Sequence, residues 1–167
     1  MPDIRIGNGY DVHAFIEHET TTISEHYIIL CAEKIPFHKK LNGHSDSDVA
    51  LHALTDAILG TYGLGDIGTY FPPHEAEWKN APSSIFVKKA LELIHAKGGK
   101  ISNIDITLIA QEPQISIFRK KMQNNLAELL KLEPCRIGLK ATTNEKLGFI
   151  GRGEGIAAIA TACIIFG

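Results

Sequence analysis

The run Val-Ala-Leu-His-Ala-Leu-Thr-Asp-Ala-Ile-Leu at 49–59 constrains this chain more than any other segment. As a helix it is apolar nearly all round, so it has no face to give to water and must be buried. The polar residues Asp48, His52 and Asp56 are spaced by four, which places them on one stripe. Buried polar groups without partners cost roughly 2–7 kcal/mol, so the stripe demands partners. The helix is expected over Ser47–Tyr62, with Ser45 and Asp48 resembling a capping box and Gly60 and Gly63 marking its end.

Around this helix the spacing predicts further elements. Strands are expected over Ile4–Gly9, Tyr27–Cys31, Ile101–Ala110, Arg136–Ala141 and Ile156–Phe166, and helices over Ser84–Lys97 and Ile115–Leu130. Glu17–His26 is polar and reads as an exposed loop or hairpin tip, and Asn42–Asp46 as a turn. The mixture implies an α+β fold, a mixed β-sheet with helices packed on one face. At 167 residues the chain fits one domain over 1–167.

The net charge of −2 gives no basic face for a nucleic acid. The longest apolar run, Gly155–Gly167, is short of the ~20 residues of a spanning helix. No signal peptide is visible, and the expected location is the cytoplasm of a bacterium or an organelle interior after processing. Cys31, Cys135 and Cys163 lie far apart and are expected as small core residues in a reducing compartment.

Three residues suggest a metal. Asp11 and His13 flank Val12 in extended chain, so their side chains point the same way. His52 offers a second imidazole from the buried helix. Two imidazoles and one carboxylate with an open fourth position match catalytic zinc, with neighbouring carboxylates as acceptors for imidazole N–H groups. A core histidine satisfied by Asp48 or Asp56 is the alternative. His44 sits just before the helix N-terminus, a good place to meet an anion, and otherwise reads as an exposed loop histidine. His18, His26 and His38 read as solvated, His95 as a helix C-terminal cation, and His74 is ambiguous. The segment 140–155 combines hydroxyls, cations and glycines suited to phosphate oxygens, although it lacks the P-loop order and equally fits a flexible surface loop.

Taken together, the segments resemble the family of 2-C-methyl-D-erythritol 2,4-cyclodiphosphate synthases. The matching stretches are Gly-Tyr-Asp-Val-His-Ala-Phe at 9–15, His-Ser-Asp-Ser-Asp-Val-Ala-Leu-His-Ala-Leu at 44–54 and Leu-Gly-Asp-Ile-Gly at 64–68. Phe71-Pro72, Ala110-Gln111 with Pro113, Lys-Ala-Thr-Thr at 140–143, Glu-Lys-Leu-Gly-Phe at 145–149 and Gly-Arg-Gly-Glu-Gly at 151–155 complete them. The resemblance implies zinc on Asp11, His13 and His52, and magnesium or manganese on Glu145. It implies phosphate contacts from His44 and Ser45, with His44 and Thr143 stabilising the transition state. The Asp11-Val12-His13 tract and Phe71 would border the substrate, and Asp66, Ile67 and Gly68 would hold the ribose. The cytidine pocket would comprise Ala110, Gln111, Glu112, Pro113, Gln114, Ile115 and Ser116 with Ala141, Thr142, Thr143 and Asn144. Phe149 and Arg152 would line a central cavity for isoprenoid diphosphates, in a homotrimer with active sites between subunits.

The implied reaction converts 4-diphosphocytidyl-2-C-methyl-D-erythritol 2-phosphate to the 2,4-cyclodiphosphate and CMP. Its nucleophile is already anionic, so it needs positioning and charge neutralisation rather than a strong base. Departures from the family pattern are Asn8 for a usual histidine, Pro73 for a usual aspartate, with Glu75 as its replacement, Asn144 for a usual threonine, and the longer polar stretch 17–26. A zinc phosphohydrolase and a catalytically silent nucleotide-binding protein are the rival readings.

Overall fold

The computed structural model describes residues 1–72 and 75–167. Among the described residues seven strands form: β1 (Asp3–Glu17), β2 (Tyr27–Leu30), β3 (Glu33–Pro36), β4 (Lys39–Leu41), β5 (Gly99–Ile109), β6 (Ile137–Thr142) and β7 (Gly155–Phe166). Five of them make one sheet in the order β4-β1-β7-β5-β6, and β2 and β3 pair as a separate hairpin. Only β5 and β6 run parallel, so the sheet is mixed. Three longer helices, α1 (Val49–Gly60), α3 (Ser84–His95) and α4 (Arg119–Leu130), pack on it, and α2 (Ile67–Tyr70) and α5 (Gly148–Gly151) are single turns.

Strand alternation sorts the sheet into a covered and an open face. On β7, Ile156, Ala158, Ala160, Ala162 and Ile164 are fully buried. Opposite Ala162, Ala160 and Ala158, β5 presents Ile104, Ile106 and Leu108, and opposite Ala162 and Ala160 β1 presents Gly7 and Gly9. α1 lies on this small-residue floor. A Cβ on Gly7 would fall 1.9 Å from the carbonyl oxygen of Ala57, and one on Gly9 2.0 Å from that of Ala53. Glycine at these two positions therefore sets how closely helix and strand approach.

These contacts explain where the strand expected over Ile4–Gly9 departs from expectation. Its glycines do not end it. β1 continues along β7 to Ala14 and along β4 from Phe15 to Glu17. The buried helix forms as its run requires, but Ser45 takes no part in a capping box. Asp48 is the N-cap, accepting from the Leu51 N–H at 3.2 Å. The helix expected from Ile115 begins at Arg119, after a 3₁₀ turn over Ile115–Phe118. Cys31 is buried as expected, whereas Cys135 is exposed in the turn between α4 and β6. Among the described residues no helix is long and apolar enough to cross a membrane.

Replacing Gly9 by Ala is expected to destabilise the fold by roughly 3 kcal/mol, because the helix backbone must move away. Gly60→Ala is the control. Its added Cβ meets nothing nearer than the Gly7 Cα at 3.9 Å, so helix propensity should leave stability unchanged or raised by up to ~1 kcal/mol. Urea unfolding of the two variants measures the contrast.

Candidate metal centre

The close seat of α1 brings His52 against β1, where Asp11 and His13 share the covered face. Asp11 Oδ2 lies 2.9 Å from His52 Nδ1 and 3.1 Å from His13 Nε2, and the two ring nitrogens are 3.1 Å apart. All three side chains are half-buried, and these donors form the one cluster of metal-ligating groups among the described residues.

With both imidazoles neutral, ordinary hydrogen bonds cannot satisfy the triangle. His13 Nδ1 sits 2.7 Å from the Asn42 carbonyl, which only accepts, so the His13 proton belongs on Nδ1. Neutral His13 then turns a lone pair on Nε2 toward the Asp11 carboxylate. A single proton on His52 Nδ1 can serve only one of its two neighbours. The electrostatics express the same shortage of positive charge. Burial disfavours the ionised Asp11 carboxyl, yet the two imidazoles facing it, His13 and His52, outweigh burial when protonated and hold the group far below the usual carboxylate range. Burial likewise disfavours charged His13, but Asp11 and the Asn42 carbonyl hold its pKa above the usual histidine value. A divalent cation would satisfy all three donors at once. Ligands about 2.0 Å from a tetrahedral ion stand about 3.3 Å apart, close to the spacings here, so the donor set fits.

Neither Asp48 nor Asp56 accepts from an imidazole, which counts against the alternative reading of His52 as a core histidine satisfied by one of them. Asp48 is fully buried and takes the N–H groups of Cys31 at 3.0 Å and Ala32 at 2.7 Å besides that of Leu51. Burial pushes its carboxyl up to about 6 despite these bonds. Asp56 accepts the Ile67 N–H at 2.7 Å and so ties α2 to α1. His52 Nε2 instead meets Ser83 Oγ at 2.9 Å and Ser45 Oγ at 3.0 Å. Asn8 lies on the opposite face of β1 from the cluster, its side chain donating to Ala160 O and Thr161 Oγ1, so it makes no contact behind the ligands. Val12 also turns its side chain to that open face, leaving only its backbone beside the ligands.

Two cavities hold most of the expected substrate residues. One of about 230 Å³ adjoins the cluster and joins His13 and His52 to His44, Ser45, Ile67, Gly68 and Phe71. Asp66 caps α2 at its rim through Thr69 N and Oγ1, both at 2.9 Å. Its aromatic wall adds Trp78 and Phe86, with ring centroids 4.9 and 4.5 Å from Phe71. Sequence reasoning did not assign these two to a site, although Trp78 is the chain's only tryptophan. Glu75 accepts from the Trp78 indole at 3.1 Å. Pro73 and His74, for which the sequence raised a departure and an ambiguity, lie outside the described residues. The other cavity, about 580 Å³, is lined by residues 110–116 with Phe37, Ala141, Thr142 and Thr143. The two share no lining residue among the described residues. Beyond the larger one, Asn144 closes its own turn onto Leu147 O at 2.8 Å, and Glu145 Oε1 accepts from Thr143 Oγ1 at 3.2 Å, apart from the cluster. Arg152 is exposed and paired with Glu154 at 2.6 Å, and Phe149 is exposed on α5.

Comparison with known proteins sets this geometry in context. The model of the YgbB family matches residues 4–165. A Bartonella henselae protein named bifunctional enzyme IspD/IspF is 61% identical over 99% of this chain, which covers 40% of that protein. The chain thus spans about two-fifths of the length of the curated relatives it matches. The structure of the bifunctional IspDF from Campylobacter jejuni aligns with a TM-score of 0.91 at 42% identity, over 100% of this chain and 43% of the other. A 2C-methyl-D-erythritol-2,4-cyclodiphosphate synthase in its CDP-bound form aligns with a TM-score of 0.84 at 35% identity, over 96% of this chain and 99% of the other.

One divalent metal ion per chain is expected by metal analysis, and none in His52→Ala. Ligation needs neutral His13, whose pKa is raised. Protons therefore compete from above the ordinary histidine value of about 6.5 downward, and affinity should fall as pH falls through that range. Metal titrations across pH measure the sign.

Proposed function

This chain belongs to the YgbB family, and on that premise we propose that it closes 4-diphosphocytidyl-2-C-methyl-D-erythritol 2-phosphate into 2-C-methyl-D-erythritol 2,4-cyclodiphosphate, releasing CMP. The observation that carries the reading is the pairing of a cation-seeking triad with a separate pocket suited to a nucleoside. In the reaction an oxygen of the 2-phosphate bonds to the β-phosphorus. The bond from that phosphorus to the CMP oxygen breaks, and CMP leaves with the electron pair. No water is consumed and no proton need be removed.

The chain's residues supply position and charge. Asp11, His13 and His52 would hold zinc, and Glu145 magnesium or manganese. Such cations, when bound, supply Lewis acidity and neutralise clustered phosphate charge. His44 and Ser45 line the cavity beside the triad and would donate to phosphate oxygens. Phe71, Trp78 and Phe86 give that cavity an apolar wall, which would exclude water from the carbon skeleton and so favour cyclisation over hydrolysis. Asp66 and Gly68 would hold the ribose, and the 110–116 loop with Thr142 and Thr143 the cytosine, with Thr143 also steadying the leaving phosphate.

We further propose that residues 1–167 act as one synthase unit in a homotrimer whose sites lie between subunits. The open sheet face supports this. Ile4 pairs with Ile165 and Tyr10 with Ile159 across β1 and β7, so exposed apolar side chains, with Ile6 69% and Tyr10 54% exposed, stand on either side of the Asn8–Thr161 pair. Large apolar side chains left exposed together on one sheet face favour an interaction site. The separation of the two cavities supports it too, because a neighbour's pocket can complete the site. Phe149 and Arg152 would face a central cavity able to take an isoprenoid diphosphate, the proposed setting being the cytoplasm of a bacterium.

Incubation with the cytidylated substrate, zinc and magnesium should yield the cyclodiphosphate and CMP in equal amounts. Inorganic phosphate in place of the cyclic product would instead identify a phosphohydrolase. Sedimentation should report three chains per particle. Mixing His13→Ala with Thr142→Trp should restore part of the activity lost by each, and no restoration despite proven subunit exchange would refute the shared site.

A further inference from the structure

A neutral imidazole binds a cation only through the nitrogen that lacks a proton. For His52 that nitrogen must be Nδ1, which faces Asp11 and His13, so its proton must sit on Nε2. Nε2 has two hydroxyl neighbours, Ser83 Oγ at 2.9 Å and Ser45 Oγ at 3.0 Å. A hydroxyl can give or take a hydrogen bond, so neither contact alone fixes the proton.

Asp46 removes the ambiguity at Ser83. Its Oδ1 is in hydrogen-bond contact with Ser83 Oγ, and a carboxylate only accepts, so the single Ser83 hydroxyl proton is committed to Asp46. The carboxylate is held in turn by the backbone N–H groups of Ser83 at 3.0 Å and Asp48 at 3.2 Å. Ser83 Oγ can then meet Nε2 only as an acceptor. Ser83 is fully buried, so water does not compete for that role.

We propose that Asp46 and Ser83 are positioning residues of the cation site, a carboxylate–hydroxyl relay that keeps the His52 proton on Nε2 and leaves Nδ1 bare. The relay rests on the reading of Asp11, His13 and His52 as cation ligands. It also separates the duties of two serines equally close to one nitrogen. Once Ser83 takes the Nε2 proton, His52 has no use for the proton of Ser45. Ser45 Oγ accepts the Ser47 N–H at 3.2 Å, and its own proton is free to be donated into the cavity beside the triad.

Competition titrations of the full chain against a zinc-sensitive chelator test the relay. Ser83→Ala and Asp46→Asn should each raise the zinc dissociation constant by about 10–100-fold, and Ser45→Ala should leave it within about threefold. The amide introduced by Asp46→Asn either turns its NH₂ toward the Ser83 hydroxyl, which removes the acceptor of the Ser83 proton, or toward the Ser83 N–H, where two donors oppose each other and only an uncharged oxygen is left to hold that proton. In the zinc-loaded protein the His52 Nε2–H proton resonance should shift in both relay variants and stay in place in Ser45→Ala. Loss of fold alone would not move it selectively, and thermal melts identify any unfolded variant. If Ser83→Ala does not fold, Asp46→Asn carries both readouts. Wild-type zinc affinity in the folded relay variants, or an unmoved resonance, would overturn the proposal. A wild type that binds no zinc would sink the cation reading instead. The relay, which serves that cation, would then fall with it.

Discussion

The seat of α1 on β1 governs the position of every group in the cation triad. Two glycines, Gly7 and Gly9, let the helix backbone come within contact of the strand, carbonyl oxygens of Ala57 and Ala53 standing where side chains would be. Only at that separation does His52, in the first turn of the helix, reach Asp11 and His13 at 2.9 and 3.1 Å. The alanines of β7 extend the same floor, so the strand supplying two ligands and the helix supplying the third are gauged against each other by small residues. Packing and ligand geometry are here one constraint. A larger residue at position 9 would cost core contacts and open the triangle together.

That closeness creates an electrostatic demand. Three lone-pair donors within about 3 Å repel unless positive charge lies among them. The surrounding hydrogen bonds sharpen the demand rather than relieve it. The Asn42 carbonyl takes the His13 proton on the far side of the ring, and the serine hydroxyls occupy the far side of His52. Asp48, which could have neutralised an imidazole, is engaged elsewhere. Its carboxylate binds the N–H groups of Cys31 and Ala32 and caps α1, joining the β2–β3 turn to the start of the helix.

This use of Asp48 also shows what sequence could and could not reveal. The buried helix, its polar stripe and the Asp-Val-His tract were legible because periodicity and alternation are local. The β2–β3 hairpin was not. Its turn residues Cys31 and Ala32 both have positive φ, 51° and 59°, without the glycine or asparagine that signals such turns. Asp48 holds that backbone from sixteen or seventeen residues away, so the signal is tertiary. The glycines of β1 misled in the opposite sense. They read locally as a strand end, and only the facing helix explains them. The partners of His52 were hidden for the same reason as the hairpin, since Ser83 lies 31 residues from it in sequence and no local pattern joins them.

Strand β1 carries one further consequence of its alternation. Its odd positions, Gly7, Gly9, Asp11 and His13, face the helix and build the triad, while Ile4, Ile6, Tyr10 and Val12 face the open side. Side chains alternate with a period of two, so a slip of one residue against β7 would exchange the two sets entirely. Twelve consecutive pairs with β7, from Asp3 to Ala14, fix that register. The ligands and the exposed apolar surface are therefore coupled through one backbone. The sheet cannot aim Asp11 and His13 at His52 without also turning Tyr10 and Ile6 outward. A surface so placed, directly behind the ligand strand, brings any neighbouring subunit that covers it to within one sheet thickness of the cation site. The two cavities of a single chain share no residue among those described. Covering the open face is thus a geometrically direct way to bring a second chain's pocket toward the first chain's ligands.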